Sequence, residues 1–344
     1  MEERRVTIRD IARECGVHFT TVSRALSRHP SIPDATCERI QSKAKEMGYT
    51  PDPMLSAISA YRTSIRQRSF QGNIAWVTNY PVEKGWARHE IFRLHFKGAR
   101  QRADELGYRL EEFWLGDPSM RSTRAAQILQ ARNIRGLLMC AQPTAGVKLD
   151  FDWSRFSCVT FGYTLAYPAL HTVAGHTFHA MVKVIEHVRS LGYKRLGFAI
   201  SSAGDERIYN IWSGAFLTQQ QHWPRSERVH MYSPHQLNEK GFLAWVQKYK
   251  PDVILAQEQG LISVLEKAGF RVPQDIGFAT PSLITDPRKP SGIDENPQQM
   301  GAAAVNMLVG MLQRNEMDVP ENAHCLLVKG TWCPGTTLRN KAHD

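Results

Sequence analysis

The sequence predicts an α/β protein: a core of two doubly wound parallel-sheet lobes, preceded by an all-α helix-turn-helix domain. Two observations carry this. Residues 1–50 read as three short helices around a tight turn, and from residue 72 apolar strands alternate with amphipathic helices in two successive series. At 344 residues the chain suits two or three domains, and its 42% hydrophobic content fits sizeable cores. The expected domains are 1–50 for the helical block, 51–71 for a hinge helix and linker, and 72–344 for the core. Within the core, one lobe takes about 72–172 plus 293–325, and the other about 173–292 plus the C-terminal segment.

In the first block, Thr7 suits a helix cap, with Asp10 three residues on as its reciprocal partner. Ile8, Ile11 and Ala12 then form one apolar face, and Gly16 stops the helix in a conformation that tolerates positive φ. A second helix starts at about His18, and a third runs from about Asp34 to Met47, ending at Gly48. Two helices joined by a tight Gly-containing turn, with a third in support, make a helix-turn-helix module.

The stretch HFTTVSRAL, residues 18–26, shows what the second helix is for. Val22, Ala25 and Leu26 pack from behind, which leaves Phe19, Thr20, Ser23 and Arg24 to enter a major groove. Hydroxyls at the helix start can also hold phosphate. Taken alone, Thr20, Thr21 and Ser23 would merely decorate a solvated helix start. The capped helix before them and the third helix in register favour DNA reading. A formal net charge of +10 agrees with a polyanionic partner, nucleic acid before membrane, although the excess is spread along the chain.

Residues 51–71 open with two prolines, then place Met54, Leu55, Ile58, Tyr61 and Ile65 at helical spacing, with Arg62, Arg66 and Arg68 following. This reads as a linker helix that gains order against something negative. The core begins with the strand NIAWVTNY, and its later strands include YRLEEFWL, GLLMCA, CVTFGY, RLGFAI, VHMYS, VILAQ and IGFAT. Helices are expected at 91–106, 122–132, 177–191, 208–221, 237–249 and 259–268. Ligands in such sheets bind beyond the carboxyl ends of the strands, in the cleft between lobes.

No leading or later apolar run suggests secretion or membrane insertion, so the expected location is the cytoplasm. The six cysteines form no C-x-x-C pair and read as buried free thiols. His176 and His179 would share a helical face, but no third ligand with convincing spacing follows, so no metal is expected. No G-x-S-x-G, Walker loop or H-E-x-x-H occurs; neither an enzyme nor a cofactor is expected.

Over essentially its whole length the chain resembles the lactose/galactose-repressor (LacI-type) transcription regulators. The specific part is residues 6–53, with a capped helix, G-V, T-V-S-R-x-L and a closing G-Y-x-P. Support comes from HVRSLGYKRLGF, RVPQDIGFAT and SGIDENPQQMGAAAVNML. The resemblance implies a homodimer on a near-palindromic operator, with a core like the periplasmic sugar-binding proteins. It implies base reading by Phe19, Thr20 and Arg24, and backbone contacts by Thr7, Thr21, Ser23 and Tyr49. It also implies a minor-groove wedge at Ile58, assisted by Leu55; burial against the core or the partner hinge is the plainer role for both.

The departures are informative. His18 stands where the family usually has a capping serine, so the second helix is expected to lose its customary cap. In the expected effector pocket, His176 replaces an acid, Ile211 an arginine, Gln257-Glu258 an Asn-Asp pair, and Ser282 an Asp. Tyr80, Trp86, Phe92, Phe161, Tyr163 and Trp212 supply aromatic surface near strand ends, for stacking on a ligand or for simple packing. The expected function is a homodimeric repressor of a carbohydrate or small-metabolite operon, gated by a small molecule, a sugar or sugar derivative, between the lobes. The alternative is a DNA-binding protein whose core only dimerises.

Overall fold

The structure, a computed structural model, describes residues 6–26, 32–49, 70–284 and 289–341. The chain divides into two compact units, an N-terminal one up to Phe70 and a larger one beginning at Gln71.

The N-terminal unit holds α1 (Ile8–Cys15), α2 (Phe19–Leu26) and α3 (Asp34–Glu46). The expected capping box forms: Thr7 Oγ1 accepts from the Asp10 N–H at 3.4 Å, and Asp10 Oδ2 accepts from the Thr7 N–H at 3.0 Å. Gly16 ends α1 at φ 66°, where a side chain would be strained. Ile11, Ala12, Val22, Ala25, Cys37, Ile40 and Ala44 make the small shared core. Gln41 ties α3 to α2 by donating to the Ala25 carbonyl at 3.1 Å. Leu55, Ile58 and the arginines of the linker lie outside the described residues.

The second unit contains two sheets. The first lobe contributes β1 (Gly72–Thr78), α4 (Glu90–Glu105), β2 (Tyr108–Trp114), α5 (Ser122–Ala131) and β3 (Gly136–Met139). It continues through β4 (Val147–Lys148), β5 (Ser157–Phe161), β6 (Leu165–Tyr167) and β7 (His171–Gly175). The chain then enters the second lobe with α6 (Thr177–Ser190), β8 (Leu196–Ala199), α7 (Ser202–Glu206), α8 (Ile211–Gln220) and α9 (Glu239–Tyr249). That lobe adds β9 (Val253–Ala256), α10 (Leu261–Lys267), β10 (Gly277–Thr280) and β11 (Ser291–Asp294). The chain returns to the first lobe for α11 (Pro297–Arg314) and β12 (Cys325–Val328), and ends in the second with β13 (Thr331–Cys333).

The first sheet runs β12-β7-β5-β3-β1-β2, parallel throughout. The second runs β13-β11-β10-β9-β8, parallel except for the β11–β13 pair. β3, β5, β8, β9 and β10 are buried along their whole length and mostly apolar, as parallel strands covered on both faces require. The three passages between lobes are bonded together. The His176 N–H donates to the Val328 carbonyl at 2.8 Å, and Asn296 Nδ2 donates to the Lys329 carbonyl at 3.0 Å.

Three expectations change. VHMYS forms no strand, only a single bridge between Ala199 and Tyr232. The helix expected at 208–221 begins only at Ile211, as α8, because Tyr209 and Asn210 both sit at φ 56°; the short α7 before them was not expected. Of the cysteines, Cys37, Cys140 and Cys158 are buried as expected, but Cys15 and Cys333 are half-buried and Cys325 is exposed, because HCLLV lies on an edge strand where alternate side chains face water.

In the first lobe, α4 and α11 cross closely. A Cβ on Gly98 would overlap the Gln298 carbonyl, and one on Gly301 would overlap the His95 carbonyl. Because both obstacles are backbone, Gly301→Val should destabilise the core by about 3 kcal/mol. A thermal melt checks this; an unchanged melting temperature would mean the helices can part at no cost.

Candidate nucleic-acid interface and interlobe cleft

The face of α2 is divided as its sequence requires. Val22 and Ala25 are fully buried, while Phe19, Thr20, Ser23 and Arg24 are exposed. Phe19, an apolar ring 44% exposed, leans on the His18 ring (centroids 4.3 Å apart), and the Arg9 guanidinium lies 5.9 Å from its centroid. An aromatic side chain held in water is costly unless a partner covers it. Thr7 is exposed; Thr21 and Tyr49 are half-buried at the edges of the same unit.

The recognition helix does not lose its cap. His18 Nδ1 lies 3.4 Å from the Thr20 N–H and 2.8 Å from Thr20 Oγ1, so the imidazole takes the acceptor's place at the helix start. To accept from the backbone, Nδ1 must be unprotonated, with the proton on Nε2.

Between the lobes, contacts converge on strand ends. Arg207, just after α7, reaches across to the first lobe and donates to the Pro143 carbonyl at 2.6 Å and the Gln142 carbonyl at 3.0 Å. Gln142 is fixed by its own N–H donating to Thr164 Oγ1 at 2.7 Å. Tyr80, after β1, lies beside this clasp. Burial and the neighbouring Cys140 push its hydroxyl pKa up, and Arg207 opposes them. His89 is pushed down, by burial first and then by Arg207. Across the same gap the rings of Tyr163 and Tyr209 stand 5.4 Å apart. Burial holds the Tyr163 hydroxyl up, at about 12.

Where the lobes join, Ser282 donates to Glu295 Oε2 at 2.5 Å, and buried Gln259 donates to the Ser282 carbonyl at 3.2 Å. Burial raises the Glu295 carboxyl to about 7; the Ser282 bond opposes this and Asp294 adds to it.

Residues 7–52 match the profile of bacterial regulatory proteins of the lacI family, and residues 185–337 match a periplasmic binding protein-like domain. The chain thus carries the helix-turn-helix domain of the lacI family ahead of a periplasmic binding protein-like domain, and its homologues are lacI-family regulators. It is 23% identical to the NTD biosynthesis operon regulator NtdR of Bacillus subtilis (strain 168) over 336 residues, 90% of this chain and 93% of that protein. Among solved structures it is similar to a lac repressor dimer bound to operator and the anti-inducer ONPF. That match has a TM-score of 0.55 at 16% identity, over 98% of this chain and 100% of that one. It is also similar to the transcriptional regulator CelR in complex with cellobiose, with TM-score 0.55 at 16% identity, over 97% and 100%. These structures share the fold. The lacI-type DNA-binding domain, with the full-length similarity to an operon regulator, marks the chain as a DNA-binding regulator of transcription.

Its expected pocket residues fall into separate groups. Tyr80 and Tyr163 lie beside the cross-lobe contacts, and Glu258 and Ser282 follow β9 and β10. Trp86 and Phe161 instead pack on Trp76 in the first-lobe core, at 5.5 and 5.2 Å between centroids, and Phe92 joins that core. Trp212 is buried in the second-lobe core. His176 caps α6, its Nδ1 accepting from the His179 N–H at 3.4 Å. Among the described residues no group of three His, Cys, Asp or Glu is placed to hold a metal. Sequence reasoning missed Arg207, Gln142, Tyr209 and Glu295. An arginine four residues before Ile211 was the visible signal for the first.

Proposed function

We propose that this protein is a cytoplasmic, homodimeric repressor of a carbohydrate or small-metabolite operon, gated by a small molecule held between its lobes. The observation that carries the reading is the exposed face of α2, Phe19, Thr20, Ser23 and Arg24, on a capped three-helix unit. In this reading Phe19, Thr20 and Arg24 contact base edges of a near-palindromic operator, while Thr7, Thr21, Ser23 and Tyr49 hold its backbone. Leu55 and Ile58, outside the described residues, would enter the minor groove. The pocket would use Tyr80, Tyr163, Glu258 and Ser282, with Trp86, Phe161, His176 and Trp212 behind them.

An effector changes operator affinity only through its differential affinity for two arrangements of the lobes. Arg207 biases that equilibrium: its two hydrogen bonds to the opposite lobe exist only while the lobes are closed. Charge-assisted bonds of this kind contribute about 1.5–3 kcal/mol each. Arg207→Ala should therefore enlarge the radius of gyration of the ligand-free protein in small-angle scattering and change its operator affinity about tenfold. A second reading, a core that only dimerises, draws on the burial of Trp86, Phe161 and Trp212 away from the cleft. It predicts that Arg207→Ala changes neither quantity.

A further inference from the structure

Several buried polar atoms beyond the strand ends of the second lobe have no hydrogen-bond partner among the described residues. They include Glu258 Oε2 and Gln259 Oε1 after β9, and Asp205 Oδ1 in α7, which follows the adjacent strand β8. Asp205 is 3% exposed and Gln259 2%. The two strand ends are close: a Cβ on Gly204 would sit 4.0 Å from Gln257 Oε1. Buried polar groups in folded proteins are nearly always paired, and an unpaired carboxylate costs more than any neutral group.

The two carboxylates differ in what surrounds them. Asp205 is raised by burial but is opposed by bonds from Ser213 and Trp212 at the start of α8. Glu258 is raised by burial with only its own N–H opposing it. Arg207, two residues beyond Asp205, is committed to the carbonyls of Pro143 and Gln142 on the other lobe. Tyr163 and Tyr209 add ring faces in the gap between the lobes, surfaces that attract a cation or stack on a sugar ring.

We infer that the effector is an amine-bearing polyol, an amino sugar in chemical class, whose protonated amine pairs with Glu258 and whose hydroxyls take up the remaining acceptors. This rests on the proposed cleft function and deepens it. A neutral sugar would leave the Glu258 charge unpaired, and an acidic ligand would add a like charge beside it.

Calorimetric titration of the full chain tests this with a panel of amino sugars that includes glucosamine, against glucose, N-acetylglucosamine and gluconate. The expected result is that at least one free amine binds, with its N-acetylated form at least tenfold weaker. Glu258→Gln should lose at least tenfold of the amine's affinity, while its ligand-free melting temperature is not lowered. Tighter binding of a neutral or acidic compound than of any amine would overturn the inference and leave the cleft function standing. Binding by no compound would overturn the inference and count against an effector altogether. The comparison between the amine and its acetylated form needs no variant, so it decides even if Glu258→Gln does not fold.

Discussion

Replacing His95 by Phe is expected to make the core unit more resistant to acid by about 2 kcal/mol at pH 5 relative to pH 7.5. His95 lies on α4, 6% exposed, flat against Phe161 at 5.0 Å and 13°, and neither ring nitrogen has a hydrogen-bond partner among the described residues. Burial alone holds its pKa down at about 3, against 6.5 in the unfolded chain. Between those values protons bind the unfolded state preferentially, so stability present above pH 6.5 falls as pH falls. Glu295 works in the opposite sense. Its carboxyl, raised by burial from 4.5 to about 7, binds a proton more readily when folded, so its contribution is full below 4.5 and is lost as pH rises through 7. The two slopes oppose each other between about pH 4.5 and 6.5. The wild-type profile should be nearly level there, His95→Phe should gain stability toward acid, and Glu295→Gln should lose it. Denaturant midpoints at pH 5, 6 and 7.5 check this by slope, independently of any packing cost. Three parallel profiles would show that neither group titrates as its burial requires.

Arg24→Ala should abolish discrimination at one base pair in each half-site, a loss of about 1–3 kcal/mol for a bidentate contact to guanine. The residue stands on the exposed face of α2, one turn beyond Thr20 and opposite buried Val22 and Ala25. A residue that touches only phosphate behaves differently, weakening all sequences alike. Thr21→Ala should do this, since the half-buried Thr21 side chain lies off the central reading face. Fluorescence anisotropy against duplexes carrying each base at each half-site position separates the two. An unchanged base preference in Arg24→Ala would remove it from the reading set.

The helical unit was legible because each of its signals is local. Thr7, Asp10 and Gly16 fix one helix by hydrogen bonds within ten residues, and Val22 and Ala25 mark the packed side of the next. His18 was misread because a cap was sought among hydroxyls and carboxylates, whereas an imidazole nitrogen offers the same lone pair. The strand–helix alternation likewise made the two parallel sheets visible. β7, β11, β12 and β13 gave little signal as individual strands, since edge and hinge strands are short and lack a continuous apolar run. In the cleft, aromatic content alone could not separate Tyr163 from Phe161, two residues apart. One faces Tyr209 across the lobes and the other is buried under Trp76. Nor could sequence show that Arg207 meets Gln142, which requires the return of the chain through 65 positions.

Genome-wide footprinting of the full chain on its own chromosome tests the central claim most directly. The account predicts discrete, near-palindromic sites whose two half-sites are related by a two-fold axis, each with a guanine in reach of Arg24, beside transport or catabolic genes. Dispersed occupancy without two-fold symmetry would contradict it, and leave a general DNA binder whose core gates nothing.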